Sequence, residues 1–271
     1  LIFGKLGFEP MGLIGAGWAT LISRIIMAVA MVLFVRYYKV FSVYWNYFKV
    51  TVWNSKTFKS LLNLGVPTGF QYIFEVGAFA SAAIMIGWMG VVPLASHQVA
   101  MNLASISYMM ATGISAAATV RVGNQLGQRD IPTMRIAAFT CFLMAIFFMA
   151  FTGLTFMVFN HLLPTFYTSD PAVISIAASL LIIAALFQLS DGIQVVGLGA
   201  LRGMGDVKLP TLVTFMAYWV IGLPSGYLLA FVLDFGEQGV WYGLLIGLSV
   251  TAIILFIRFN NKSKKLLSEL V

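Results

Sequence analysis

Seven apolar runs organise the chain, at about 12–35, 61–89, 94–120, 134–159, 172–200, 209–233 and 240–259. Each is long enough to cross a bilayer as a helix, which needs roughly 20 residues. The pattern predicts an all-α polytopic membrane protein with seven transmembrane helices. Most breaks between runs are a handful of residues. The exception, roughly Arg36 to Ser60, separates the first span from a compact bundle of six and reads as a linker between units. Composition agrees: 61% of the 271 residues are hydrophobic and 9% charged, where soluble domains carry about 25% charged. The spans use well over half of the chain, which leaves no room for a soluble domain.

Polar residues inside these runs are the informative ones. Glu75 lies mid-way in 61–89 and Asp191 in 172–200. An Asp at the centre of a membrane helix costs roughly 2.5–3.5 kcal/mol even on insertion scales. Such carboxylates persist when they face a polar cavity or hold something cationic, or when they bond a neighbouring helix. Helical rise puts Glu75 about 24 Å from Lys59 and Asp191 about 17 Å from Arg202, so both fall in the middle third of the membrane. Gln71 precedes Glu75 by one turn and Pro67 by two, and a proline frees backbone carbonyls near a cavity. Gln188 and Gln194 flank Asp191 at i−3 and i+3, forming a polar stripe.

The third run opens with a polar outer half containing His97, Gln98, Asn102, Ser105 and Ser107. Gln98 and Asn102 share a face and suit either substrate contact or helix-to-helix hydrogen bonding; His97, near the outer interface, reads as structural. In the first span Arg24 reaches toward a carboxylate or snorkels. Thr20, one turn earlier, offers its hydroxyl to a polar site or to its own i−4 carbonyl.

Charge sets the expected topology. Alternating the loops places fourteen Lys and Arg on one side and only Lys5 on the other, with Arg24 inside a span. By the positive-inside rule the C-terminus is cytoplasmic. The net charge of +7 is therefore a topology signal that touches membrane lipids, not nucleic acid. The aromatics from Tyr37 to Trp53 suit an interfacial linker.

An internal echo suggests repetition: Leu, Phe and Gly of the segment Leu6 to Gly12 recur at Leu233 to Gly239, each leading into an inward-running helix. The first span then closes one six-helix unit and the last span closes a second, parallel one. Doubling the repeat predicts a parent protein of roughly 450 residues and twelve helices, of which this chain is the C-terminal part.

Enzyme signatures are missing: the chain contains no HExxH, no phosphate-binding loop and no GxSxG. Gly113-Ile114-Ser115-Ala116 suggests an intramembrane serine protease, although small residues in such a run allow close helix packing. Cys141 stands alone, without a disulfide or thiolate-metal framework.

Five stretches resemble one family in order and in register: GLIGAGWATLISR at 12–24, GVPTG at 65–69 with Glu75 beyond it, ASHQVAMN at 95–102, VRVGNQLG at 120–127 and ALRGMGD at 200–206. They are similar to the multidrug and toxic compound extrusion (MATE) transporters, NorM-like branch. The resemblance implies a twelve-helix, two-lobe antiporter exporting drugs in exchange for Na⁺ or H⁺, with no catalytic cofactor. Residues 1–36 would be the last N-lobe helix, 37–60 the cytoplasmic inter-lobe linker and 61–271 the six-helix C-lobe, whose partner is the missing N-lobe. It further implies that Glu75 and Asp191 form the cation site, Na⁺ included, that Gln98 lines the cavity, and that Thr20 lies near the N-lobe site. Asn102 and Gln71 join them as substrate or cavity residues. Some relatives carry a Tyr one turn before the helix-ten Asp; Phe187 stands there and removes a hydroxyl ligand, which weighs against Na⁺. A lipid-linked oligosaccharide flippase of related architecture is the alternative, but its cavity needs Arg and Lys for pyrophosphate.

Overall fold

A computed structural model describes residues 11–38 and 54–269. The Leu6 to Glu9 half of the internal echo and the linker aromatics Phe41 to Trp53 lie outside them. The described residues are helical, and seven helices are long and apolar enough to span a membrane. The chain divides into two compact units, 1–58 and 59–271.

The first unit holds α1 (Gly12–Tyr37). Its apolar side chains, Ile14, Trp18, Ile25 and Val29 among them, are exposed. Near its end the Arg36 guanidinium lies 5.7 Å from the centre of the Tyr37 ring. In the same unit, Asn54 caps the start of the next helix, its Oδ1 accepting from the amides of Lys56 and Thr57. Such a cap satisfies donors that a helix start leaves open. It starts α2 (Ser55–Gly87) about six residues before the apolar run, so the last residues of the expected linker are helical.

The second unit continues α2 and adds α3 (Val91–Gly127), α4 (Ile131–Val158), the single turn α5 (Leu162–Thr165), α6 (Pro171–Gly203), α7 (Lys208–Val232) and α8 (Gly236–Ser268). At its centre is α6, packed against α3, α4 and α8. It starts cleanly because Asp170 accepts from the Ala172 amide and Pro171 takes the first helical position. Two buried apolar clusters divide the unit along its length. Residues of α6 up to Phe187 join Ile86, Tyr218 and Trp241 in one, and those from Val196 join Phe142 and Phe259 in the other. Gln188, Asp191 and Gln194 fall between the two.

Small residues bring backbones together where helices cross. A Cβ on Gly199 would collide with the backbone and hydroxyl of Ser115, and one on Gly243 with the backbone of Gly226. These contacts follow the small-xxx-small logic of membrane helix pairs. Ser115 donates to the Val195 carbonyl (2.6 Å) and Thr119 to that of Gly199 (2.9 Å), which ties α3 to α6. Ser115 is thus a buried packing residue, as the small-residue reading expected.

The span α7 is not uniformly α-helical. Met216–Gly222 and Leu228–Val232 wind as π-helix on either side of Pro224. Proline cannot donate to the turn before it and crowds the carbonyl four residues back, a common reason for rewinding.

Asp206, in the α6–α7 turn, ties that turn to α8: its Oδ2 meets Arg258 Nη2 at 2.8 Å and Lys262 Nζ at 3.0 Å. Burial alone would raise its pKa, but hydrogen bonds and charge from both cations outweigh that and hold it below the ordinary value. A depressed folded-state pKa gives stability that is present above the unfolded value of about 3.9 and is lost as pH falls through the folded one. Asp206→Asn is expected to remove about 1.5–3 kcal/mol, the range for charged hydrogen bonds. It should also flatten the acid limb of thermal stability below about pH 4, read by detergent melting across pH.

Candidate functional site

The buried face of α2 runs through Gln71, Glu75, Ala78 and Ala82, at the spacing that keeps one helix face inward. Pro67 lies below it, and its carbonyl accepts from Thr211 on α7 (2.9 Å). Glu75 is 4% exposed and Asp191, from α6, is 6% exposed. Both line a cavity of about 280 Å³, together with Phe79 of α2, Ser105 and Tyr108 of α3, and Phe187 of α6. On the other side of Glu75 and Tyr108 a smaller cavity of about 120 Å³ is lined by Gln71, Tyr72, Thr112, Ser115 and Arg202.

A buried polar chain positions Glu75. Tyr218 Oη donates to Gln194 Oε1 (3.0 Å), and Gln194 Nε2 donates to Glu75 Oε1 (3.2 Å). With its oxygen engaged by Tyr218, Gln194 presents its amide hydrogens to the carboxylate. Gln188 turns elsewhere, donating to Ser107 (2.6 Å). The three-residue stripe on α6 is therefore buried throughout, but its members have different partners. Among the described residues no hydrogen bond reaches the Asp191 carboxylate, which faces the larger cavity.

Of the other expected site residues, Gln71 is buried beside Glu75 in the smaller cavity. Gln98 and Asn102 are exposed and do not border either cavity; Asn102 accepts from Tyr167 (3.2 Å). They continue outward the α3 face that carries Ser105. Thr20, in the first unit, donates to the Ala16 carbonyl (3.0 Å) and is exposed. His97 is buried and accepts from Trp241 Nε1 (3.1 Å), a packing role. Phe187 stacks on Trp241, with ring centres 5.5 Å apart.

Sequence reasoning missed Tyr108, Tyr218 and the placement of Arg202. Tyr108 lies at helical spacing beyond Ser105 on the same α3 face, and that spacing was the available signal. Tyr218 had none: it lies in a π-wound turn of α7, which α-helical spacing does not describe.

The MatE family model matches residues 67–228, more than half of the chain. The chain belongs to the MATE family. Over 274 residues it is 38% identical to the probable multidrug resistance protein NorM of Mesorhizobium japonicum, covering 97% of this chain and 57% of that protein. Multidrug resistance protein MdtK of Yersinia pseudotuberculosis is 36% identical over 288 residues, with 97% and 59% covered. The chain thus spans less than two thirds of the length of these relatives. In fold it is similar to the eukaryotic MATE transporter AtDTX14, with a TM-score of 0.82, 20% identity, and 100% of this chain against 62% of that one. An outward-facing multidrug resistance MATE transporter of the MOP superfamily gives 0.80 at 21% identity, covering 98% and 59%. Together with its apolar helices, family membership makes the chain part of an integral membrane protein.

Cutting the polar chain at its two links should give unequal effects. Gln194→Leu strips Glu75 of its donor and should cost about 1–3 kcal/mol, the penalty of an unsatisfied buried group. Tyr218→Phe orphans only the Gln194 oxygen, whereas Gln194→Leu orphans both Glu75 and the Tyr218 hydroxyl, so Tyr218→Phe should cost less, about 1 kcal/mol. Detergent melting of both variants measures the difference.

Proposed function

We propose that the complete protein exports cationic or amphipathic drugs across the bacterial inner membrane by alternating access, driven by an inward-moving cation. The observation that carries this reading is one cavity, lined mainly by Val, Phe, Met and Ala, that receives buried carboxylates from two helices. A charge at that depth is retained when it has a cationic partner, and both a coupling ion and a drug cation fit that description. The relatives' names, multidrug resistance proteins, support the drug class. The asymmetric basic loops support a cytoplasmic C-terminus.

In this reading α1 is the last N-lobe helix, 37–60 the inter-lobe linker and 61–271 the C-lobe. Glu75 and Asp191 hold the cation, and Tyr108 and Ser105 bring hydroxyls to the same cavity. Gln71 supports the site, while Gln98 and Asn102 lie on the path along α3 and Thr20 belongs to the N-lobe side. Both formal charges on the larger cavity are negative, which suits a cation and opposes the pyrophosphate of a lipid-linked oligosaccharide. To couple anything, cation binding must favour one facing of the transporter, since a ligand shifts an equilibrium only by its differential affinity.

Glu75→Gln in the complete protein should abolish efflux while leaving membrane insertion intact, because it removes the ligand and eases burial. Normal drug resistance in that variant would sink the assignment. For the ion we propose H⁺. Phe187 contributes a ring and no oxygen, and a proton needs no coordination shell, whereas Na⁺ prefers several hard oxygens. Efflux should follow an imposed pH gradient in sodium-free buffer, and Phe187→Tyr should increase any sodium stimulation. Strict sodium dependence with no response to a pH jump would reverse the ion and keep the site.

A further inference from the structure

Arg202, in the last turn of α6, takes no part in the polar chain that positions Glu75. Its Nε is buried and lacks a hydrogen-bond partner among the described residues, and neither ion pair there includes it. The guanidinium lies 5.7 Å from the centre of the Tyr72 ring. Tyr72 precedes Glu75 by three residues, about 4.5 Å along α2. Arg202 and Glu75 line the same small cavity of about 120 Å³. Glu75 offers it a partner, because Gln194 engages only Oε1. A guanidinium whose buried Nε has no partner and a carboxylate engaged at one oxygen thus border one space little larger than a few waters.

A partly buried cation is drawn to an opposite charge, and an Arg has a long flexible stem with a fork that matches a carboxylate. It also rests favourably on an aromatic face. In the structure Arg202 rests on the Tyr72 ring, and Glu75 is the acidic group that lines the same cavity, one helical turn along α2. We propose that Arg202 is an internal counter-ion, competing with the coupling cation for Glu75 and replacing it when the cation leaves. The proposal rests on the reading of Glu75 as a cation ligand. The other ionisable groups on this cavity are Tyr72 from α2 and Tyr108 from α3; Asp191 lies on the larger cavity beyond Glu75. Competition assists release: without Arg202 the cation should bind more tightly and leave more slowly.

The test uses the complete transporter in proteoliposomes, with efflux of the fluorescent cation ethidium as the readout. The half-saturating concentration of the driving ion is measured with sodium at fixed pH and with protons in sodium-free buffer. Arg202→Gln should lower that concentration tenfold or more and also lower the maximal rate. Arg202→Lys, which keeps the charge, should stay within about threefold of the parent. Tyr72→Leu removes the ring on which Arg202 rests and should raise the concentration severalfold. A purely structural role would reduce folded protein and maximal rate but leave half-saturation unmoved, and an unmoved or raised value in Arg202→Gln overturns the inference. Ion-driven efflux that survives Glu75→Gln defeats the cation reading itself. Loss in Glu75→Gln with no shift in the Arg202 and Tyr72 variants defeats only the counter-ion.

Discussion

Gln194 has a single amide with which to serve two neighbours, and most of the site's geometry depends on that. Its oxygen accepts from Tyr218, so its amide hydrogens must point the other way, to Glu75. In a hydrocarbon medium no water stands ready to correct a misplaced polar group, and each donor has to find its acceptor inside the protein. Reversing the amide would set oxygen against carboxylate and hydrogen against hydroxyl, leaving Glu75 without its donor. The orientation of a carboxylate on α2 is therefore fixed by a residue on α6, which is itself fixed by one on α7.

The framework around that chain is built from absent side chains as much as from present ones. At the α3–α6 crossing, Gly199 lets the helices approach until the Ser115 and Thr119 hydroxyls reach α6 carbonyls. At the α7–α8 crossing, Gly226 and Gly243 bring backbone against backbone. Contacts this close leave little room for sliding. The polar layer is thereby held between two apolar clusters, and the cavity keeps its shape.

The sequence made the seven spans legible because hydropathy reports directly on a bilayer. It was less informative about where helices end, since helices outlast the membrane: α2 begins at an Asn54 cap and α8 runs on to Ser268. Glu75 and Asp191 were legible because a charge in an apolar run has few explanations. Gln188 and Gln194 were not distinguishable, as equal spacing from Asp191 hides which neighbouring helix each one meets. Gln98 and Asn102 share the face their spacing predicted, but the cavity takes Met101 and Ser105 from α3 instead. Tyr108 was within reach of the spacing argument, but Arg202 depends on which face of α6 approaches α2, and that is a property of packing that no local pattern encodes.

The π-wound turns of α7 hold more residues per turn than their α-helical neighbours, and so store a short length of chain. Tyr218 sits within the first of them. Converting that turn to α would shift the register of the helix beyond it by one residue, a rotation of about 100°. Tyr218 lies inside the segment, so the contact that anchors the Gln194 amide depends on how that turn is wound. The winding of one helix and the aim of a carboxylate two helices away are thus linked through two hydrogen bonds.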